Sequence, residues 1–213
     1  IIEAKYGVLP SVPVMEIKTQ LEIINKNFEY KFNIKTKKLI SFINSVNGDG
    51  KVSGKIDNFY IPGKYTYNYI RKNKEKYVEI LYENNLIKEL IVMPEYNKSE
   101  LTPITNEMLR NTIDPSTFFL NLLYFENLNN CKDIYRIFDG KRRYDILFNG
   151  IKKSGNTIEC EAKQTKIGGY KNKEDDVFAS SDFIKVVYSI EDNEFIKYEA
   201  RNNNITILIK EKI

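Results

Sequence analysis

Apolar and polar residues alternate along most of this chain, and asparagine, aspartate and glycine interrupt the alternation at short intervals. In residues 28–34, Phe28, Tyr30, Phe32 and Ile34 occupy every second position, with polar residues between them. A period of two is typical of a β-strand with one buried face. The same alternation of apolar and polar residues predicts strands over 14–24, 64–70, 76–82, 86–92, 182–190, 194–200 and 205–211. Short polar turns join several of these segments, which favours hairpins and an antiparallel sheet.

Two segments follow helical spacing instead. Residues 36–46 carry apolar side chains three or four positions apart, and the glycines of 47–50 predict the end of that helix and a loop. Residues 113–128 begin with Asp114, which suits an N-cap, and Pro115, which suits the first helical position. This second helix is apolar on nearly all sides, which indicates a buried position in the concavity of a curved sheet.

These elements predict a mainly β fold. We expect one large curved antiparallel sheet, an open barrel or spiral, packed around one or two helices. No linker rich in proline, glycine or serine divides the chain and no internal repeat is visible, so residues 1–213 are expected to form a single domain.

Charge and composition exclude several classes of function. The 33 lysines and arginines and 29 aspartates and glutamates are interspersed, which argues against a nucleic-acid surface. The chain has no histidine, so mechanisms and zinc sites that require histidine are excluded. The acidic run 174–176 lies in a polar stretch typical of a loop. The glycine-rich stretch 47–54 lacks the signature of a phosphate or calcium loop. We therefore expect a non-enzymatic protein with no cofactor and no metal.

The strongest hairpin signal is Asp139-Gly140, within "IFDGKRRYDILF" (137–148). Aspartate followed by glycine favours a two-residue type I′ turn. That turn would pair Ile137 with Arg142 and place Arg142 on the apolar face together with Tyr144. Arg143 and Asp145 would then share the opposite face, and a one-residue bulge would exchange the two faces.

Two interpretations of this hairpin remain open. In the first, Lys141, Arg142 and Arg143 form a solvated tip, and Arg142 extends past Tyr144 to water. In the second, Arg142 is a half-buried cation that pairs with a carboxylate such as Asp139, or binds an anionic headgroup.

The chain contains two cysteines, Cys131 and Cys160. Two cysteines at this separation fit neither a zinc site nor a CxxC redox motif. The residues alone leave two alternatives, one disulfide or two unrelated buried thiols.

Several motifs, taken in order, resemble the exported bacterial family known as domain of unknown function 3108. The matching passages are "YGVLPSVPV" (6–14), the segment 36–46, "GKIDNFYIP" (54–62), "TIDPSTFFLNLLY" (112–124), "DIYRIFDGKRRYDILF" (133–148) and "IECEAKQTKIGGY" (158–170). The resemblance implies a periplasmic protein whose signal peptide has been removed, and an antiparallel sheet that curls around helices, similar to lipoprotein carriers and β-spiral envelope proteins. It also implies a disulfide between Cys131 and Cys160. The family brings no established activity.

The expected function is a non-enzymatic periplasmic binding or carrier module, with an apolar pocket for a lipid or acyl chain. Arg142, Arg143, Tyr144 and Asp139 are the candidate ligand-binding residues at its mouth. The alternative is a structural or interaction protein of the cell envelope, with a filled core and no small-molecule ligand. The expected partners are accordingly a lipid, a lipoprotein or an envelope protein.

Overall fold

A computed structural model describes residues 2–7, 13–36, 46–71, 73–124, 131, 134–171, 183–191, 194–202 and 205–211. The strands are β1 (Ile2–Gly7), β2 (Pro13–Ile24), β3 (Asn27–Thr36), β4 (Val46–Ile56), β5 (Tyr60–Arg71), β6 (Lys74–Glu83), β7 (Leu86–Met93), β8 (Ile134–Phe138), β9 (Arg143–Ser154), β10 (Thr157–Gly168), β11 (Phe183–Ser189), β12 (Phe195–Asn202) and β13 (Ile205–Glu211). The α-helix is α1 (Pro115–Tyr124), and 3₁₀ turns occupy Lys98–Glu100 and Glu107–Leu109. In these ranges, no helix is long and apolar enough to cross a membrane.

The thirteen strands in the described ranges belong to one sheet, in the order β7-β6-β5-β4-β3-β2-β1-β13-β12-β11-β10-β9-β8. Every neighbouring pair is antiparallel, and the ladder between β1 and β13 joins the two halves of the chain. The mainly β, antiparallel fold predicted from the sequence is therefore confirmed. The helix predicted over 36–46 falls mostly on 37–45, which lie outside the described residues.

The sheet curls into a half-barrel around α1. This helix contacts β5, β8 and β12, which are far apart in the order of strands, so a flat sheet would not bring them to one helix. The curl also brings Gly140, just after β8, against β6, because a Cβ at Gly140 would lie 2.5 Å from Val78 Cγ1. The predicted curvature around a helix is confirmed.

Asp114 begins α1 as the sequence predicts. Its Oδ1 accepts hydrogen bonds from the backbone N–H groups of Ser116 and Thr117, both at 2.9 Å, and its Oδ2 accepts from the Thr117 hydroxyl at 2.6 Å. One turn later, the Asn121 side chain binds both the N–H and the carbonyl of Tyr60, at 2.8 and 3.1 Å. The cap fixes where the helix starts, and Asn121 fixes it against β5.

Buried side chains fill the concave face on both sides of α1. One row runs straight across four strands, from Tyr30 to Val52, Tyr65 and Ile80, and all four residues are buried. Leu120 of α1 packs into the same cluster. A second cluster, which includes Phe118 and Leu122 of α1 and the core positions of β8 to β12, lies on the other side of the helix. The helix thus joins two halves of one continuous apolar interior.

The glycine-rich stretch 47–54 is not the loop that its composition predicts. It forms most of β4, and Gly50 and Gly54 lie directly opposite Phe32 and Phe28 of β3. A Cβ at Gly50 would collide with the Phe32 ring, and one at Gly54 would lie 2.9 Å from Phe28 Cε1. The glycines leave room on the concave face for the rings of the neighbouring strand, which helps the sheet to curve.

This packing predicts that Gly50→Ala lowers the free energy of unfolding by about 1–3 kcal/mol, as an overpacked core does. Gly150→Ala in β9 is the matched control, because its added Cβ would meet Glu161 Cβ at an ordinary 3.5 Å. Urea denaturation of both variants measures the difference. Equal stability of the two variants would show that the Phe32 ring is not confined above β4.

Candidate functional site: the turn between β8 and β9

The turn between β8 and β9 has four residues, 139–142, rather than two. Phe138 pairs with Arg143 and Ile137 with Tyr144, so the predicted register is wrong by two residues. Asp139 is the cause. Its Oδ1 accepts hydrogen bonds from the backbone N–H groups of Lys141 and Arg142, at 2.9 and 2.6 Å. In a two-residue turn the Lys141 N–H would donate to the Phe138 carbonyl, but here it donates to the Asp139 side chain, and this closes a wider loop. Gly140 supplies the positive φ of 91°.

Arg142 lies in this turn and not on the strand face where the predicted register placed it. Its Nε lies 2.8 Å from Asp139 Oδ2, and its side chain is 21% exposed. The second interpretation, a half-buried cation paired with a carboxylate, therefore describes its surroundings correctly. The Asp139 carboxylate thus holds the turn by accepting from the backbone N–H of Arg142 and by pairing with its guanidinium group.

Arg143 is the buried arginine of the hairpin. Its side chain is 4% exposed, its Nε donates to the Met108 carbonyl at 2.8 Å, and its Nη1 donates to the Tyr144 carbonyl at 2.6 Å. Nη1 also lies 2.6 Å from Asp145 Oδ1, on the face that the sequence predicted for this pair. The interpretation of Arg143 as part of a solvated tip is wrong, because the segment that contains Met108 covers this face of the hairpin. These contacts anchor that segment to β9.

Tyr144 faces the interior, directly opposite Ile137, and packs against the cluster that contains Phe118. Burial raises the pKa of its hydroxyl well above the usual range, and the negative charge of Asp139 adds to the shift. Of the four predicted ligand-binding residues, the structure brings Asp139 and Arg142 together in the turn. Arg143 is buried and Tyr144 is half-buried beside it.

Three residues that the sequence did not single out surround the turn. Lys76 is on β6, Tyr69 is on β5 directly opposite it, and Tyr96 follows β7. Lys76 Nζ lies 6.0 Å from the ring centroid of Tyr69 and 5.9 Å from that of Tyr96. Lys141 Nζ lies 5.6 Å from the Tyr96 centroid. We call the half-buried group of Tyr69, Lys76, Tyr96, Asp139, Lys141 and Arg142 the cationic mouth.

The charges within the cationic mouth influence one another. Burial lowers the pKa of Lys76, and the positive charges of Arg71, Lys141 and Arg142 lower it further. Burial and the negative charge of Asp139 raise the pKa values of Tyr69 and Tyr96, which are hydrogen-bonded to each other. Both phenols therefore stay protonated at neutral pH and serve as neutral hydrogen-bonding groups.

A row of aromatic rings leads from the cationic mouth along the concave face. The rings of Tyr69 and Tyr67 stack with centroids 4.6 Å apart and planes inclined by 17°. The Tyr67 ring in turn lies 5.4 Å from Phe32. The backbone of β4 at Gly48 and Gly50 lies between these strands without side chains. The mouth is thus continuous with an aromatic surface.

A groove of about 650 Å³ runs along β2 to β6, and most of its lining residues face away from the concave side, although Phe32 and Gly50 also line it. Outward-facing polar residues line it, among them Lys18, Lys31, Lys51, Asn68 and Tyr77. Glu29 pairs with Lys31 at 2.8 Å and with Lys51 at 2.5 Å, and these two cations lower the pKa of Glu29 to about 2. Glu29, Lys31 and Lys51 thus form a solvated, charge-paired group on the outer face.

Asp114 is the buried carboxyl of the helix cap, and burial raises its pKa to about 6 although three hydrogen bonds oppose the shift. Because the folded state binds this proton more tightly than the unfolded state, its contribution to stability is greatest below about pH 4 and is lost as the pH rises through about 6.

Asp114→Asn keeps a capping oxygen and removes the titration. We expect the stability of the wild type relative to this variant to fall by about 2–3 kcal/mol between about pH 4 and 7.5. A constant difference across that range, in urea denaturation, would contradict the buried carboxyl.

Cys131 and Cys160 form a disulfide, with their Cα atoms 5.4 Å apart. Both are buried, and Cys160 lies in β10 between Ile151 of β9 and Val186 of β11. The bond fixes the chain just before β8 to the centre of the second half of the sheet. The pairing implied by the family resemblance is confirmed, and the alternative of two unrelated thiols is wrong.

Comparison with known proteins shows the fold alone. No protein-family model matches the chain, and no curated protein matches it. A solved structure, a beta-barrel-like protein of Domain of Unknown Function DUF1849 from Brucella abortus, is similar with a TM-score of 0.50 and 7% sequence identity. The similarity covers 98% of this chain and 92% of that chain. The fold of the described residues is therefore similar to that of this beta-barrel-like protein.

Proposed function

We propose that this chain is a non-enzymatic binding module that holds the anionic end of a lipid or acyl chain at the cationic mouth. The observation that carries the proposal is the cationic mouth itself, where Lys76, Lys141 and Arg142 lie half-buried beside the rings of two tyrosines. The positive charges of Lys141 and Arg142 lower the pKa of Lys76, and the same positive field would attract an anion to Lys76.

The aromatic row beside the mouth supports an amphiphilic ligand. Tyr69, Tyr67 and Phe32 offer ring surface next to the cations, and partly apolar sites with a few polar groups are typical of small-molecule binding. The ligand's charged group would lie between Lys76 and Arg142, and its apolar part would lie along these rings. Arg143, by contrast, would act on the ligand only by holding the hairpin in place.

The disulfide supports an extracytoplasmic location. Disulfides persist in oxidising compartments such as the periplasm, and we propose that compartment for this chain. The resemblance to domain of unknown function 3108 would place it there as well. A protein of the cell envelope would meet anionic lipids and lipoproteins as its natural partners.

An interaction protein of the envelope is the second candidate. It is favoured by the filled interior, since Val52, Ile80 and Leu120 are each 0% exposed. An acyl chain would have to lie on the surface of the aromatic row or displace these side chains. In this alternative the cationic mouth would hold an acidic group of a partner protein.

Isothermal titration calorimetry tests the proposed function with decanoate and decyl phosphate as anionic probes and decanol as the neutral one. We expect at least one anion to bind more tightly than decanol, and Lys76→Met with Arg142→Met to weaken that binding about tenfold or more. Lys31→Met, on the outer face, is the matched control and should bind as the wild type does. The proposal fails if decanol binds as tightly as both anions, or if the double variant and the control behave alike.

A further inference from the structure

We propose that the groove along β2 to β6 binds a neutral oligosaccharide. Most of the residues that line this groove face away from the concave side, which carries the aromatic row of the cationic mouth. The two sites are therefore separate, and the binding of a sugar chain here does not depend on the proposed function.

The groove runs across the strands. On five successive strands, one polar or aromatic side chain of each lies directly opposite the next, and all five line the groove: Lys18, Asn33, Asp49, Asn68 and Tyr77. Neighbouring strands are about 4.8 Å apart, so this row extends over about 19 Å. Such a row suits an extended ligand whose hydrogen-bonding groups repeat along its length. A peptide strand would instead pair with an edge of the sheet.

The charges at the groove favour a neutral ligand. The lysines that line it are Lys18, Lys31 and Lys51. Glu29 pairs with two of them, and Glu16 lies 3.5 Å from the third. With Asp49, the three lysines meet three carboxylates, so the formal charges of these six groups sum to zero. A polyanion would have to share the lysines with Glu29, whereas a neutral ligand leaves the ion pairs in place.

Several hydrogen-bonding groups in the groove are available to a ligand. Within the described ranges, the Asp49 carboxylate forms no ion pair or hydrogen bond, and neither does the Gln20 amide. The amides of Asn33 and Asn68 each donate one long hydrogen bond, at 3.3 and 3.4 Å. Polar residues are usual on the solvated face of an antiparallel sheet, but here they line a groove of about 650 Å³. Amides and carboxylates offer paired donors and acceptors, which suit adjacent hydroxyl groups of a sugar ring.

Tyr77 adds an aromatic ring at the β6 end of the row. Its hydroxyl donates to Glu79 Oε2 at 2.5 Å, and Glu79 in turn pairs with Lys64 at 2.9 Å. These contacts hold the ring in place, so it loses little freedom when a ligand binds. The negative face of an aromatic ring attracts weakly positive groups, such as the C–H groups of a sugar. A fixed ring beside amides suits a sugar better than it suits a simple ion.

NMR titration with cellohexaose, maltohexaose and chitohexaose tests the proposal, with glucose and N-acetylglucosamine as the monomer probes. We expect at least one hexamer to bind with a Kd of about 1 mM or below, and about tenfold or more tightly than its monomer, because several units contact the row. The largest amide shifts are expected at residues 18–20, 31–33, 49–51, 66–68 and 77. Residues 139–142, in the cationic mouth, should not respond.

Asn68→Ala and Asp49→Ala should each weaken this binding about two- to tenfold, which is the effect of losing one or two hydrogen bonds. Asn149→Ala is the matched control, because Asn149 is an exposed asparagine of β9 outside the groove. The amide spectrum of each variant reports whether it is folded.

Dextran sulfate is the polyanionic probe. If it binds at the groove and no hexamer does, the proposed sugar site is overturned. The same holds if no hexamer binds, if the shifts lie elsewhere, or if both groove variants bind as Asn149→Ala does. None of these results bears on the cationic mouth, which is tested with the decyl anions.

Discussion

Replacement of Cys131 and Cys160 by alanine is expected to lower the free energy of unfolding by about 3–4 kcal/mol in the chain-entropy model. The bond closes a loop between cysteines 29 positions apart, and it removes many conformations from the unfolded chain. A loss of this size is a large fraction of the total stability of a typical folded protein, which is about 5–15 kcal/mol.

Chemical denaturation is measured on the oxidised wild type, the reduced wild type and the double alanine variant. The comparison separates the contribution of the cross-link to the free energy of unfolding from the contribution of packing. Both thiols are buried, so alanine also leaves a small cavity, and the variant should be slightly less stable than the reduced wild type. A thiol titration in denaturant, without reductant, should find no reactive thiol. Equal stability of oxidised and reduced wild type would contradict the stabilising bond.

Arg143→Met is the second large effect, with an expected loss of about 3–5 kcal/mol in the free energy of unfolding. The substitution removes the donors to the Met108 and Tyr144 carbonyls and leaves Asp145 without its close cation. The loss exceeds that of a surface pair because Arg143 is 4% exposed and donates to two backbone carbonyls from within the packing, whereas Asp145, 26% exposed, keeps part of its contact with water.

Arg142→Met is the matched control for Arg143→Met. Its ion pair with Asp139 is partly exposed, and Asp139 keeps its hydrogen bonds to the turn, so we expect a loss of about 1 kcal/mol or less. Binding should respond in the opposite order, because Arg142 belongs to the mouth and Arg143 to the packing beneath it. Urea denaturation of both variants measures the two losses of stability. Similar losses of stability from the two substitutions would contradict the different roles of these neighbouring arginines.

The sequence predicts those elements whose pattern is local. The alternation of Phe28, Tyr30 and Phe32 is enough to identify β3, and Asp114-Pro115 is enough to locate the start of α1. The paired asparagines after β6 form one of the short polar turns between predicted strands, with φ of 51° at Asn84 and 61° at Asn85. In these places the residue types and the final conformation depend on the same neighbours in the chain.

The strand β4 was not predictable in the same way. Gly48, Gly50 and Gly54 have no side chains, so this segment shows no alternation of apolar and polar residues. The role of these glycines depends on the aromatic rings that β3 and β5 contribute. The turn at Asp139 shows a related limit. Asp139-Gly140 fits a two-residue turn, but the hydrogen bonds of the Asp139 carboxylate select the wider one.

Only part of the candidate site could be predicted from the sequence. Asp139 and Arg142 are close in sequence, and their pairing could be foreseen from the hairpin. Lys76 and Tyr96 come from distant parts of the chain, and only the curl of the sheet brings them to the turn. The run of Tyr65, Tyr67 and Tyr69 was a visible signal of one aromatic strand face, but its position beside cations depends on the fold.

Backbone amide NMR during titration with decyl phosphate tests whether an anionic ligand binds at the cationic mouth. We expect the largest chemical-shift changes at residues 139–142 and at Tyr69, Lys76 and Tyr96, with little change at Lys18, Lys31 and Lys51 on the outer face. Shifts concentrated in the outer groove, with residues 139–142 unchanged, would contradict the assignment of the cationic mouth as the binding site.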